Sequence, residues 1–284
     1  MQDRVRMTIA GGVADVRLNR PEKMNALDPP MFSALAETGA RLKEDPSVRA
    51  VVLSGEGDAF CAGLDMERMT AAAEGRSILP SVDLTKRTHG VANFAQLIVW
   101  IWRELPVPVI AAVHGVAVGG GFQLALGADL RYVAPDTRLA VIETKWGLVP
   151  DMAGTQLMRH LAREDVVREL TYTARIFSGE EALDFGFATR LFDDPRAAAL
   201  ATARKIAERS PDAIRAAKRL LNRAVARDAY VGLAAETDEQ RDLLGKPNHV
   251  EAVRANLEKR APNFADPTGP REHLAPTLTI PAGA

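Results

Sequence analysis

A continuous apolar strand that runs through a cluster of glycines into a helix constrains this chain more than any other stretch. In Pro108-Val-Ile-Ala-Ala-Val-His-Gly-Val-Ala-Val-Gly-Gly-Gly-Phe-Gln-Leu-Ala-Leu-Gly127, every position from Val109 to Val113 is apolar. The chain then passes Gly115 and the triplet Gly119-Gly120-Gly121, after which Phe122, Leu124, Ala125 and Ala128 follow helical spacing. Glycines at the mouth of a helix let a ligand approach the backbone, where the first N–H groups lack intrahelical partners. A phosphate, or the negative oxygen that develops on a reacting carbonyl, suits such a mouth. The letters exclude two phosphate sites. A dinucleotide loop counted from Gly119 needs a third glycine where Leu124 stands, and no Gly-Lys-Ser/Thr triplet follows for a Walker loop. A tight strand-to-helix turn, with glycines needed only for packing, explains the stretch equally well.

Around this stretch the chain alternates strands and helices. Val5–Ile9 and Val13–Leu18 flank Gly11-Gly12 as a hairpin. Asp28 is placed to cap a helix through Phe32, Leu35 and Leu42, and a strand follows at Arg49–Leu53. Residues 70–90 have no firm period and read either as a mobile, partly helical connection over the pocket or as a plain surface loop. Val91–Leu105 reads as a helix, with Trp100 and Trp102 packing in a core or an interface. Strands are expected at Leu130–Val133, Leu139–Ile142 and Ala188–Phe192, and helices at Met152–Leu161, Asp165–Thr173 and Gly179–Phe185. Only helices are suggested from Pro195 to Arg260, and the proline-rich residues 261–284 read as an extended or disordered tail. The pattern is α/β with a helical C-terminus.

Composition narrows the function. The 284 residues are 47% hydrophobic and 26% charged, enough for a sizeable core. A net charge of −1, from 36 basic and 37 acidic residues, gives no general pull towards nucleic acid or a membrane surface. Leu105–Phe122 is uncharged for 18 residues, but its two prolines, four glycines and His114 fit a buried strand and turn better than a membrane span. The single cysteine, Cys61, can form no internal disulfide and lacks a neighbouring metal-ligand cluster. No signal-peptide core precedes the first strand, and the expected setting is a reducing cytoplasm.

A second glycine-bearing stretch, Ala59-Phe-Cys-Ala-Gly-Leu-Asp-Met-Glu-Arg-Met69, follows the strand that ends at Leu53. Phe60-Cys-Ala-Gly-Leu-Asp65 and His114-Gly-x-x-x-Gly-Gly-Gly121 together resemble the enoyl-CoA hydratase/isomerase (crotonase) superfamily. Agreeing features run from Asn19-Arg-Pro-Glu-Lys-Met-Asn-Ala-Leu27 to Ser210-Pro-Asp-Ala-Ile-Arg-Ala-Ala-Lys218. The resemblance implies a spiral of ββα turns over residues 1–194. It also implies a helical oligomerising region over 195–260, forming a homotrimer or dimer of trimers. It implies an acyl-coenzyme A substrate, with coenzyme A as part of the substrate and no permanently bound cofactor or metal. The backbone N–H groups of Leu64 and Gly120 would hold the thioester oxygen. Lys23, Ala26, Ala62, Asp65, Met66 and Gly119 would line the coenzyme A and substrate site.

The same resemblance puts Glu143 at the position of a catalytic glutamate. A carboxylate between an apolar strand and a Trp- and Pro-containing loop is partly desolvated, which raises its pKa and improves it as a base. The residue pattern alone favours a solvated loop-entry glutamate, since acidic residues are common at strand ends. The hydratases carry a second glutamate two residues after the glycine triplet, where this chain has Gln123. An amide can hydrogen-bond a water but cannot take its proton. Asp151, eight residues after Glu143, resembles one half of the acid/base pair of the dienoyl-CoA isomerases, although those enzymes also have an acid at the Gln123 position. Alternatively, Asp151 caps a helix starting at Met152. Monofunctional Δ3,Δ2-enoyl-CoA isomerases keep only the equivalent of Glu143, followed by a threonine as in Thr144. The expected chemistry is therefore double-bond isomerisation with Glu143 as acid/base. Enoyl-CoA hydration is the alternative, and a catalytically weak acyl-CoA-binding relative the third reading. His114 and Cys61 are expected to be structural, and a solvated role for Lys23 stands beside coenzyme A contact.

Overall fold

The computed structural model describes residues 4–74, 76–79, 82–224, 240, 242–243 and 246–266. Strands β1 (Val5–Ala10) and β2 (Val13–Leu18) pair antiparallel, from Val5 opposite Leu18 to Ala10 opposite Val13. Gly11 and Gly12 join them, both with positive φ, the two-residue turn that matches strand twist. Strands β3 (Ala50–Gly55) and β4 (Val109–Val113) add in parallel beside β2. A short strand β5 (Val116–Val118) leaves this sheet, which continues with β6 (Leu130–Val133). Strand β7 (Arg138–Ala140) pairs with β5 in a small second sheet, and β8 (Arg190–Leu191) closes the large one, giving the order β1-β2-β3-β4-β6-β8.

The small sheet is longer than its two strands. Single-residue bridges at Leu27–Leu64, Cys61–Ala117 and Leu139–Phe177 extend it on either side. Each turn of the chain passes from a strand of the large sheet, through an extended piece in the small one, to a helix. This is the expected spiral of ββα turns.

The helices are local consequences of sequence. Helix α1 (Pro29–Glu44) begins where Asp28 accepts the Met31 N–H at 2.9 Å, with proline at its first position. Helix α2 (Met66–Ala73) occupies part of the stretch that had no period. Helix α3 (Phe94–Glu104) starts three residues later than expected, because Asn93 and Gln96 form a reciprocal capping box. Helices α4 (Gly120–Leu126), α5 (Gly154–Met158), α6 (Glu164–Thr173) and α7 (Gly179–Phe185) complete the spiral. Helices α8 (Pro195–Ala207), α9 (Pro211–Ala224) and α10 (Pro247–Glu258) follow. Among the described residues, no helix is long and apolar enough to cross a membrane.

Strand β4 is apolar throughout because both its faces are covered. On one side Val109, Ala111 and Val113 join Leu18, Leu53, Phe60, Trp102 and Phe122 in the main core. There Phe122 meets Phe177 and Phe187 edge-on, with ring centroids 5.6 and 5.3 Å away. On the other side Ile110 and Ala112 join Val52 and Tyr132 beneath Ala199 and Ala203 of α8. Trp102 is a core residue whose indole donates to the Ile98 carbonyl, whereas the half-buried Trp100 donates to Glu104. Helix α9 is tied to the spiral by buried Lys218, whose ammonium meets the Trp102 and Val107 carbonyls and Asp129. Residues 261–266 have no regular structure, but Asn248 brackets Ala265 with two hydrogen bonds of 2.9 and 3.0 Å. The remainder of the expected tail, 267–284, lies outside the described residues.

Candidate active site

The two glycine-bearing stretches meet backbone to backbone. Phe60 N–H donates to the His114 carbonyl, Cys61 N–H to Val116, and Val118 N–H back to Cys61. This approach dictates glycine at position 121, where a Cβ would lie 2.1 Å from the Cys61 carbonyl oxygen. It also dictates glycine at 63, which has φ +80° and where a Cβ would lie 2.6 Å from the Val118 carbonyl and 3.4 Å from the Gly120 nitrogen. Leu27 N–H donates to Gly63, and Asp65 N–H to Leu27. Between those bonds, Leu64 N–H donates to no acceptor among the described residues, and neither does Gly120 N–H at the first position of α4. Two unengaged backbone donors therefore sit on adjoining turns. Leu27 and Met152 press on the same turn, since a Cβ at Gly120 would lie 3.0 Å from each side chain.

Glu143 opens a 3-10 turn, Glu143–Trp146, just after β7. Its carboxylate packs against Gly119, whose added Cβ would stand 3.5 Å from Oε1. The residue is only 8% exposed. Burial raises its pKa first, and the charge of Asp151 adds to the rise, against the hydrogen bond from Gln123 and backbone bonds. Oε1 accepts from Gln123 Nε2 at 2.6 Å, while the buried Oε2 has no partner among the described residues.

Gln123 is engaged at both ends. Its Oε1 accepts from the N–H groups of Met152 and Gly154, each at 2.9 Å, so it braces the segment leading into α5 against Glu143. Thr144 turns away from the site, donating to the Thr171 carbonyl in α6. Asp151 is not a helix cap, because α5 begins at Gly154 after Ala153 takes a left-handed conformation, φ +67°. Asp151 has surface open to water, yet neighbouring protein crowds it and the resulting desolvation raises its carboxyl pKa. Its open surface keeps that rise screened by solvent. No hydrogen bond joins Asp151 to Glu143.

The residues expected at the coenzyme A side divide. Lys23 and Met66 are exposed, with Lys23 Nζ 3.8 Å from Glu67. Ala62 N–H donates to the Met24 carbonyl and Ala26 N–H to Lys23, so this loop rests on the Leu64 turn. Asp65 is buried and engaged elsewhere: Oδ1 accepts the Glu67 N–H as the cap of α2, and Oδ2 meets Arg20. It shapes the wall of the site and offers no group to a ligand. Sequence reasoning missed Arg20 and Asn25. Fully buried Asn25 accepts from Arg20 N–H and donates to the Glu56 and Ala59 carbonyls, holding the start of the Phe60 loop. The left-handed backbone of Asn25, φ +55°, leaves no unmistakable signal in the letters. His114 and Cys61 are structural. His114 Nε2 lies 2.8 Å from the Gly57 carbonyl oxygen, and burial pushes the Cys61 thiol up to about 12.

The family profile described as enoyl-CoA hydratase/isomerase matches residues 8–267. The chain belongs to the enoyl-CoA hydratase/isomerase family. Within this family it is 33% identical to the mitochondrial Delta(3,5)-Delta(2,4)-dienoyl-CoA isomerase of Mus musculus over 260 residues, covering 87% of this chain and 77% of that protein. It is also 33% identical to the 1,2-epoxyphenylacetyl-CoA isomerase of Escherichia coli over 255 residues, 89% of this chain and 95% of that one. The crystal structure of an enoyl-CoA hydratase from Bacillus anthracis superposes with a TM-score of 0.82 at 28% identity, covering 93% of this chain and all of that one. Relatives with either kind of name thus match most of this chain.

Proposed function

We propose that this enzyme moves the double bond of an enoyl- or dienoyl-CoA thioester, with Glu143 as its acid/base. The carrying observation is the engagement of Gln123. Its oxygen is taken by two backbone donors and its nitrogen by Glu143, so position 123 supplies no second base to activate a water. A buried carboxylate with one unpartnered oxygen suits a reaction in which a single group takes a proton and returns it. In this reading Glu143 removes a proton from C2 of a 3-enoyl-CoA, and the electron pair delocalises into a dienolate. The negative thioester oxygen lies between the N–H groups of Leu64 and Gly120. The proton returns at C4 and the double bond ends between C2 and C3. Lys23 lies towards the nucleotide end of coenzyme A, which enters as part of the substrate. Assembly as a homotrimer or dimer of trimers belongs to the same reading, and exposed Val250, Val253 and Leu257 on α10 support it.

One observation favours a second reading, enoyl-CoA hydration. Asp151 has a raised pKa, and its charge reaches Glu143, so it could supply the second carboxylate. The test incubates 3-enoyl-CoA, 3,5-dienoyl-CoA and 2-enoyl-CoA separately with the enzyme in deuterated water. Isomerisation and deuterium incorporation with either of the first two support the proposal. Fast hydration of 2-enoyl-CoA alone overturns it.

A further inference from the structure

The amide of Gln123 has only one workable orientation. Two backbone N–H groups, those of Met152 and Gly154, converge on the same amide atom, and only a carbonyl oxygen accepts from both. The amide nitrogen must then face Glu143, where it stands 2.6 Å from Oε1. Gln123 is 1% exposed, so water cannot substitute for any of these bonds. Facing a fixed donor, Oε1 is held as an acceptor. Oε2 has no partner among the described residues.

We propose that Gln123 is a positioning residue that reserves Oε2 of Glu143 as the oxygen that takes up and delivers the proton. This deepens the proposed function and rests on it in treating Glu143 as the acid/base, though not on which acyl chain is processed. A second consequence concerns the reaction class. Glutamate at position 123 would not restore a hydratase pair here. One of its oxygens would accept from Met152 and Gly154, and the other would face Glu143 Oε1, where two carboxylates must share a proton. Few other charges intrude. Helices α4 and α5 carry none, Lys145 lies on the turn itself, and Arg138 is on β7. On α6, Glu164, Asp165 and Glu169 pair with Arg168, Arg163 and Arg175. That leaves Asp151, whose charge reaches Glu143.

The test compares the wild type with Gln123→Glu, which preserves size and the acceptor for the two N–H groups and puts an ionisable carboxyl oxygen in place of the donor. Carbon-13 NMR of protein labelled at the glutamate carboxyls follows the titration of Glu143, assigned by the signal lost in Glu143→Gln. The expected result is an upper midpoint for the coupled pair about one pH unit or more above wild-type Glu143. The acid limb of C2-proton exchange with octanoyl-CoA in deuterated water should move with it. If Gln123→Glu does not fold, Gln123→Met removes the donor together with the acceptor for Met152 and Gly154, and its Glu143 midpoint should also rise. An unchanged midpoint in the folded variant, with only a lower melting temperature, overturns the proposal. The titration needs no substrate, so the two readings fail separately. A shifted midpoint in a protein that moves no C2 proton supports the positioning while overturning the reaction.

Discussion

Arg20 Nη1 meets Asp65 Oδ2 at 2.5 Å, a buried ion pair that ties the end of β2 to the residue following Leu64. Arg20 also donates to the Ala26 carbonyl and lies 3.6 Å from Asp28, which caps α1 and pairs with Arg4. The Leu64 N–H therefore sits on a loop pinned at its next residue by charge and at Gly63 by Leu27.

Removing one partner of this pair leaves the other charge buried. Arg20→Ala or Asp65→Ala should cost about 3–5 kcal/mol of stability, measured by urea unfolding. Burial pushes the Asp65 carboxyl up, but the Arg20 and Glu67 hydrogen bonds and the Arg20 charge outweigh it and hold the pKa below the usual range. That stability is present above the ordinary carboxylate pKa and is lost as pH falls through the lowered one. The Asp65→Ala penalty should therefore shrink in strong acid, and a penalty independent of pH would count against the pair.

Gly120 stands at the first position of α4, where the missing N–H of proline is tolerated, while its ring must displace the Leu27 and Met152 side chains, each 3.0 Å from an added Cβ. Gly120→Pro should fold, as judged by circular dichroism, and lose about 100-fold or more in turnover of acyl-CoA substrates. Undiminished turnover would remove Gly120 from the mechanism. By contrast, Gly121→Ala forces a Cβ against the Cys61 carbonyl and should lower the melting temperature as well as activity.

Glu143 is held in a place that disfavours its charge. Because its folded pKa is raised above the unfolded value, folding is favoured below the unfolded pKa, and that advantage is lost as pH rises through the folded one. Glu143→Gln should therefore raise the melting temperature near neutral pH, with the gain fading in acid, while abolishing proton transfer. A lower melting temperature at neutral pH would contradict the assigned burial cost.

Cys61 provides a check on the packing beneath the Leu64 turn. With its thiol buried and its pKa pushed up to about 12, iodoacetamide should label it slowly in native protein and rapidly in urea. Rapid labelling of the native protein would show that the turn opens.

Much of this fold is legible in the letters where a local rule has no competitor. Gly11-Gly12, the Asp28 cap and the unbroken apolar run of β4 each announce their element. Of the second sheet only β7 does, overlapping the expected Leu139–Ile142 strand; β5 is three residues long, and the rest continues as single bridges that tertiary contact alone defines. The start of α5 was misplaced because alanine gives no warning of the left-handed backbone at Ala153. In the site, the glycine turns stand out in the letters and Glu143 is singled out only by the family resemblance, while the roles of Arg20, Asn25 and Asp65 depend on distant partners. Gln123 was visible as a departure from a carboxylate. What it does instead became clear only from Met152 and Gly154, about thirty residues further along.

The most direct measurement compares initial rates on 3-enoyl-CoA for wild type, Glu143→Gln and Asp151→Asn. If Glu143 moves the proton, Glu143→Gln should lose about 100-fold or more. Asp151→Asn, which alters only a screened neighbour, should lose much less. Glu143→Gln at the wild-type rate, with Asp151→Asn inactive, would contradict the account.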